Sequence, residues 1–204
     1  MARPPIFTKE AVLKAAIEVV RRDGEEALTA RNIGKALGSS PRPLFTLFEN
    51  MESVRAAVRT EATRLYCEYV ADSLDYVPAF KEYGLRLVRF GVEEYNLFRF
   101  IFLNSDLKME DFGVPFAACR DAFVDDYNLT AEQAGRLVNT VWTFACGLAT
   151  LIHTGVVDMS DEEISDALSE QFVGLLSFIR SGKDVHGLVP KKRGIGDKIT
   201  LNLA

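Results

Sequence analysis

His153 and His186 are the chain's only histidines, and neither sits in an HxxxH, ExxH or HExxH pattern that would put metal ligands on one helical face. Cys67, Cys119 and Cys146 lie far apart, in no ligand-like spacing, with no neighbouring histidine or charge cluster to activate a thiolate. The carboxylate pairs Glu93–Glu94 and Asp125–Asp126 are adjacent, so on a helix their members diverge by about 100°. No glycine-rich phosphate loop occurs. These patterns imply no catalytic residue, no metal and no cofactor, and hence no enzyme. The stretch that does offer chemistry is Gly38–Val54, GSSPRPLFTLFENMESV, where Arg42 is the one long donor before Glu49. A guanidinium can grip guanine with two parallel hydrogen bonds, a contact that discriminates between bases by about 1–3 kcal/mol.

The elements that must position Arg42 follow from caps and periodicity. Thr8 caps a first helix with Glu10 in its first turn, Leu13, Ala16, Ile17 and Val20 on one face, and Gly24 as its stop. Thr29 caps a short second helix that ends at Gly38, with Leu28 and Ile33 at the two positions of a hydrophobic staple. Ser40 then reads as the cap of a third helix, with Pro41 at its favoured first position and Leu44 and Phe48 facing inward. Pro43, at the third position, removes only an N–H that a helix start leaves unpaired, although a proline resists an α conformation in the residue before it, here Arg42. Two short helices joined across LGSS, behind a supporting helix, form a helix-turn-helix, whose second helix enters the DNA major groove.

The rest of the chain reads as helix after helix. Asn50 caps one from about Met51 to Ser73, and an aromatic-rich segment after Pro78 breaks near Tyr95 or Asn96. Pro115 opens another, ending near Asn128. Thr130 with Gln133 and Ser160 with Glu163 are capping boxes for helices over 131–154 and 161–181, stopped by Gly155 and Gly182. The fold class is therefore all-α: a three-helix helix-turn-helix domain over residues 1–50, a larger helical domain over 51–182, and a tail over 183–204.

Composition supports this division. Residues 1–60 hold ten Lys/Arg against seven Asp/Glu (+3) and residues 61–204 hold fourteen against twenty-two (−8), which together give the net −5. A basic segment on an acidic body is the pattern of a nucleic-acid reader with a separate second domain. The most apolar run, Leu137–Val157, is interrupted by Asn139, threonines and His153, so it reads as a buried helix and no membrane is implied. Three scattered cysteines and the lack of a signal-peptide core point to the cytoplasm.

Residues 8–54 resemble the N-terminal domain of the TetR/AcrR family of bacterial transcriptional regulators. VLKAAIEVV, DGEEALTARNIGKALGSS, LFTLF and NMESV carry the likeness, at the family's spacing and without a gap. The fragment VWTFACGLATLIHTG is similar to a Trp–His–Gly helix of one branch, with Cys146 where that branch often has histidine. The resemblance implies a homodimeric regulator, most often a repressor, that binds double-stranded DNA and is released by a small-molecule effector. It places Thr29, Ala30 and Arg31 against phosphates, and Ser40, Arg42 and Thr46 in the groove. Phe45 stands at a DNA-contacting position where the family usually has tyrosine, Leu47 where it has an aromatic or histidine, and Met51 where it has lysine. With Glu49 and Glu52 nearby, positive charge is lost where phosphate should lie. A rival reading follows: a TetR-like small-molecule or protein-binding module whose DNA contacts have drifted.

Residues 90–144 are rich in aromatics, and an apolar lining with few polar groups makes a pocket. The expected ligand-binding set is Phe98, Phe102, Phe116, Trp142, Cys146 and His153, with 142, 146, 149 and 153 on one helical face. No buried basic residue is evident for an anion, so the effector expected is apolar or aromatic. Ile164, Ala167, Leu168, Phe172, Leu175, Leu176 and Ile179 form an arc on the last helix, broad enough to meet both its own subunit and a partner.

Overall fold

The computed structural model describes residues 7–76, 79–103 and 113–182, and among these it contains nine α-helices and no strand. The side chain of Phe116 and the whole of the tail over 183–204 lie outside the described residues. α1 (Lys9–Asp23), α2 (Ala30–Ala36) and α3 (Leu44–Leu47) form the N-terminal unit, and α4 (Met51–Val70) leads away from it. A 3₁₀ turn over Ala71–Asp75 then passes the chain towards α5 (Ala79–Glu93), α6 (Tyr95–Phe102), α7 (Gly113–Tyr127), α8 (Ala131–His153) and α9 (Asp161–Arg180).

The caps fall where local chemistry puts them. Thr8 accepts from the Ala11 N–H at 3.2 Å, Thr29 from Asn32 at 3.3 Å and Asn50 from Ser53 at 2.9 Å. Thr130–Gln133 and Ser160–Glu163 close reciprocal capping boxes. Each cap is worth about 1 kcal/mol. Leu28 and Ile33 are fully buried, as a staple requires.

The third helix departs from expectation. Ser40 caps nothing: residues 37–43 form an extended turn, and α3 is a single helical turn that begins after Pro43. Its hydrogen bonds explain why. Leu44 and Thr46 donate three residues back, to the carbonyls of Pro41 and Pro43, and only Phe48 makes a four-residue bond, to Leu44. Two prolines withhold two donors, and Pro43 keeps Arg42 from continuing a helix. The turn is nonetheless held firmly. The Ser39 N–H donates to the Gly34 carbonyl at 2.8 Å, and a Cβ on Gly34 would come within 3.0 Å of the backbone of residues 39–41.

One continuous core runs through the molecule, from Val12, Ile17 and Leu44 through Val54 and Val58 to Phe98, Phe100 and Phe172. α5 lies along α8 and also meets α9, while α7 packs on α8. The α5–α8 crossing is close: a Cβ on Gly91 would stand 2.6 Å from that of Ala149. The apolar arc of α9 is consumed inward, since Ile164, Leu168, Phe172, Leu176 and Ile179 are all buried and Leu168 presses on Gly84. Leu168 is therefore interior to its own chain. The outward face instead carries Val173, which is 56% exposed, and Gly174.

Candidate nucleic-acid interface and effector cavity

α2, the turn and α3 put Thr29, Arg31, Ser40, Arg42, Phe45 and Thr46 on the exposed surface, with Ala30 half-buried. Leu44 and Phe48 anchor the opposite side of α3 in the core. Leu47 and Met51 are half-buried and pack against that core, so only Phe45 of the three apolar replacements is widely open, at 49%. Thr46 donates its hydroxyl to the Pro43 carbonyl at 2.7 Å, which spends its proton locally.

The arginines divide sharply. Arg21, Arg22, Arg55, Arg64, Arg86, Arg89, Arg99 and Arg120 are in ion pairs. Arg59 and Arg136 lie over the rings of Phe100 and Phe178, and Arg180 donates to the Tyr127 carbonyl. Among the described residues, only Arg31 and Arg42 have no hydrogen bond, ion pair or ring contact, and both belong to the helix-turn-helix.

Behind this surface, α5, α7 and α8 line a partly open cavity of about 20 Å³, room for one water. Its walls are Phe80, Tyr83, Gly84 and Leu87 on one side, Cys119 and Phe123 on another, and Val138, Val141, Trp142 and Ala145 on the third. Of the expected ligand set, Trp142 lines it. Phe102 meets Trp142 edge-on at 5.7 Å from outside the wall, Phe98 is wholly buried in the core, and Cys146 is buried outside the lining. His153 is exposed at the end of α8, stacked on Tyr95 at 3.7 Å with Nδ1 3.3 Å from the Val92 carbonyl. The shared helical face of 142, 146, 149 and 153 thus passes from cavity to surface and is not one lining.

Sequence reasoning missed Phe80, Tyr83, Leu87 and Cys119. The signal was present in the i, i+3, i+7 spacing of the first three, on a segment otherwise read only as aromatic-rich. Within the cavity region, burial holds the hydroxyls of Tyr66 and Tyr83 well above the usual tyrosine range and pushes the Cys119 thiol up to about 12. No thiolate nucleophile forms there, and among the described residues no charged side chain lines the cavity. Among the described residues no three His, Cys, Asp or Glu side chains gather as metal ligands, and no helix is long and apolar enough to cross a membrane.

α6 connects the two regions. On one side Phe102 touches Trp142, and on the other Asn96 donates to the Arg21 carbonyl at 3.0 Å while Glu94 accepts from Arg21 at 2.8 Å. Arg99 pairs with Glu26 at 3.5 Å, so α1 and the turn after it are fastened to α6 at three points.

No family model matches the chain, and no curated protein matches it in sequence. Solved structures do. A TetR family protein from Vibrio parahaemolyticus superposes with a TM-score of 0.62 at 14% identity, over 81% of this chain and 96% of that one. A TetR-like transcriptional regulator from Rhodococcus sp. RHA1 does so with a TM-score of 0.58 at 14% identity, over 85% and 96%. The three-helix N-terminal unit, the connecting α4 and the helical body behind it together make the fold of this protein that of the TetR-like transcriptional regulators.

Proposed function

We propose that the protein is a homodimeric transcriptional regulator, acting as a repressor, that binds operator DNA through α2, the following turn and α3 and is released by a small apolar or aromatic effector. The observation that carries this reading is the pair of unpartnered arginines. Eleven of the thirteen described arginines are engaged within the chain, and the two that are not, Arg31 and Arg42, stand on the exposed helix-turn-helix. An arginine kept free of carboxylates is available to phosphate or guanine. Thr29 and Ala30 would lie against phosphate, and Ser40, Phe45 and Thr46 would accompany Arg42 in the groove.

Dimerisation is supported by the outward faces of α8 and α9. Thr140, Phe144, Gly147 and Leu151 recur along one side of α8, Leu151 is 42% exposed, and a Cβ on either Gly147 or Gly174 would meet open space. Two such faces can approach closely across a two-fold axis, matching a palindromic site. The effector would enter beside Trp142, and displacing that ring would push on Phe102 and so shift α6 against its three fastenings to α1. Selection of bound sequences from random DNA tests the proposal. A palindromic motif with guanine at a fixed place in each half-site is expected, and the absence of any enriched motif would refute it.

A specific feature favours a second reading, the binding module with drifted DNA contacts. Phe45 exposes an apolar ring where a phosphate ligand is expected, Pro41 and Pro43 lack N–H donors, and Glu49 and Glu52 are exposed close by. Met51→Lys combined with Phe45→Tyr separates the readings. If the surface docks on DNA, the double variant binds any DNA more tightly, and each restored phosphate contact steepens the slope of log K against log salt by about one unit. Unchanged affinity and slope would favour the drifted module.

A further inference from the structure

Tyr66 and Tyr83 face each other inside the helical body, 2% and 8% exposed, with their hydroxyl oxygens 2.9 Å apart. The rings are held independently of that bond: Tyr66 packs edge-on against Phe90 at 5.2 Å and Phe102 at 4.8 Å, and Tyr83 forms part of the cavity wall. Each phenol carries one donor proton. The mutual bond consumes one of the two, whichever way it points, and among the described residues neither oxygen makes any other hydrogen bond. One buried O–H is therefore left without an acceptor, and leaving a buried polar group unpaired is costly. Of the two residues only Tyr83 lines the cavity.

We propose that the cavity takes a neutral, mainly hydrocarbon ligand bearing one acceptor oxygen of the ketone type, with that oxygen seated on the Tyr83 hydroxyl and the hydrocarbon against Trp142. This rests on the effector reading above and narrows it. A carboxylate is excluded by the same surroundings. Among the described residues no cation lines the cavity, and the burial that raises the titration of Tyr83 and Cys119 would equally penalise a bound anion. The space present, about 20 Å³, matches a single oxygen and not a whole ligand. Half-buried Trp142, in the cavity wall, is the chain's only tryptophan and so reports binding by its fluorescence.

Three probes share one branched skeleton: cyclohexyl methyl ketone, isopropylcyclohexane and cyclohexanecarboxylate. Titrated into the full chain, the ketone and the hydrocarbon should change Trp142 emission saturably, and the carboxylate should not. Tyr83→Phe should weaken the ketone about tenfold relative to the hydrocarbon, the effect of one lost hydrogen bond. Tyr66→Phe, which leaves the Tyr83 proton in place, should retain the ketone's advantage. In the unaltered protein the carbonyl stretch of bound ketone should fall below its frequency in hexane, which gives a readout free of any folding defect in the variants. An unshifted stretch, or an equal response of ketone and hydrocarbon to Tyr83→Phe, would overturn the proposal while leaving an apolar effector site standing. Failure of both neutral probes to bind would overturn it together with the effector reading, and would leave DNA binding untouched.

Discussion

Arg42 and Arg86 are the same side chain put to opposite uses. Arg86, on α5, is only 18% exposed, bonds Glu82 at 2.7 Å and the Tyr69 carbonyl at 3.2 Å, and pairs with Asp72. Its valences are filled from within, and it ties the end of α4 and the turn after it to α5. Arg42, on the turn before α3, is exposed and has no partner among the described residues. The described arginines of the body are thus engaged internally, whereas Arg42 on the N-terminal surface is not. An arginine's function is read from what it does not touch as much as from what it does.

The largest expected effect belongs to the body. Phe98 is fully buried, packs on Phe102 at 5.3 Å and is not among the described residues that line the cavity beside Trp142. Phe98→Ala should cost about 3–5 kcal/mol of stability, the usual cost of emptying a core aromatic site. Urea unfolding measures it, and a loss below about 1 kcal/mol would show that the ring is not a core element.

A charge at Val173 should act on assembly without touching the fold, since the side chain is open in the single chain. Val173→Arg should turn a dimer into a folded monomer in sedimentation, because an unpaired charge buried in an interface costs about 3–5 kcal/mol. Leu168→Arg, directed into the core of its own chain, should unfold it instead. A variant at Val173 that remains dimeric would move the interface elsewhere.

Arg86→Ala sharpens the contrast at smaller scale. Its loss should lower stability by about 1–2 kcal/mol through the hydrogen bonds removed, with DNA affinity unchanged. The equivalent loss at Arg42 should leave the unfolding midpoint where it was.

How much of this was legible in the sequence depends on the range of the interactions involved. Thr8, Thr29, Asn50, Thr130 and Ser160 act on residues three positions away, so the helix starts are legible directly. The break between α5 and α6 was equally local. The sequence predicts too long a third helix because Pro41 favours a helix start, while in the fold the restriction that Pro43 places on Arg42 prevails. The cavity was not legible as such. Its walls come from residues 80–87, 119–123 and 138–145, three segments that only packing brings together. Periodicity marks α9 as amphipathic but does not say that the own-chain core takes nearly the whole arc, leaving Val173 and Gly174 exposed. Burial of Tyr66 against Tyr83 is likewise a tertiary fact.

On the proposed function, Arg42 is held free in order to read DNA. The most direct measurement compares the unaltered protein with Arg42→Ala on a selected operator and on random DNA of the same length, at several salt concentrations. Specific affinity should fall by about 1–3 kcal/mol per half-site, preference at one base position should relax, and affinity for random DNA and its salt slope should stay nearly constant. Equal loss on both DNAs, with a shallower salt slope, would make Arg42 a phosphate contact. No loss on either would contradict the claim and leave the helix-turn-helix without its reader.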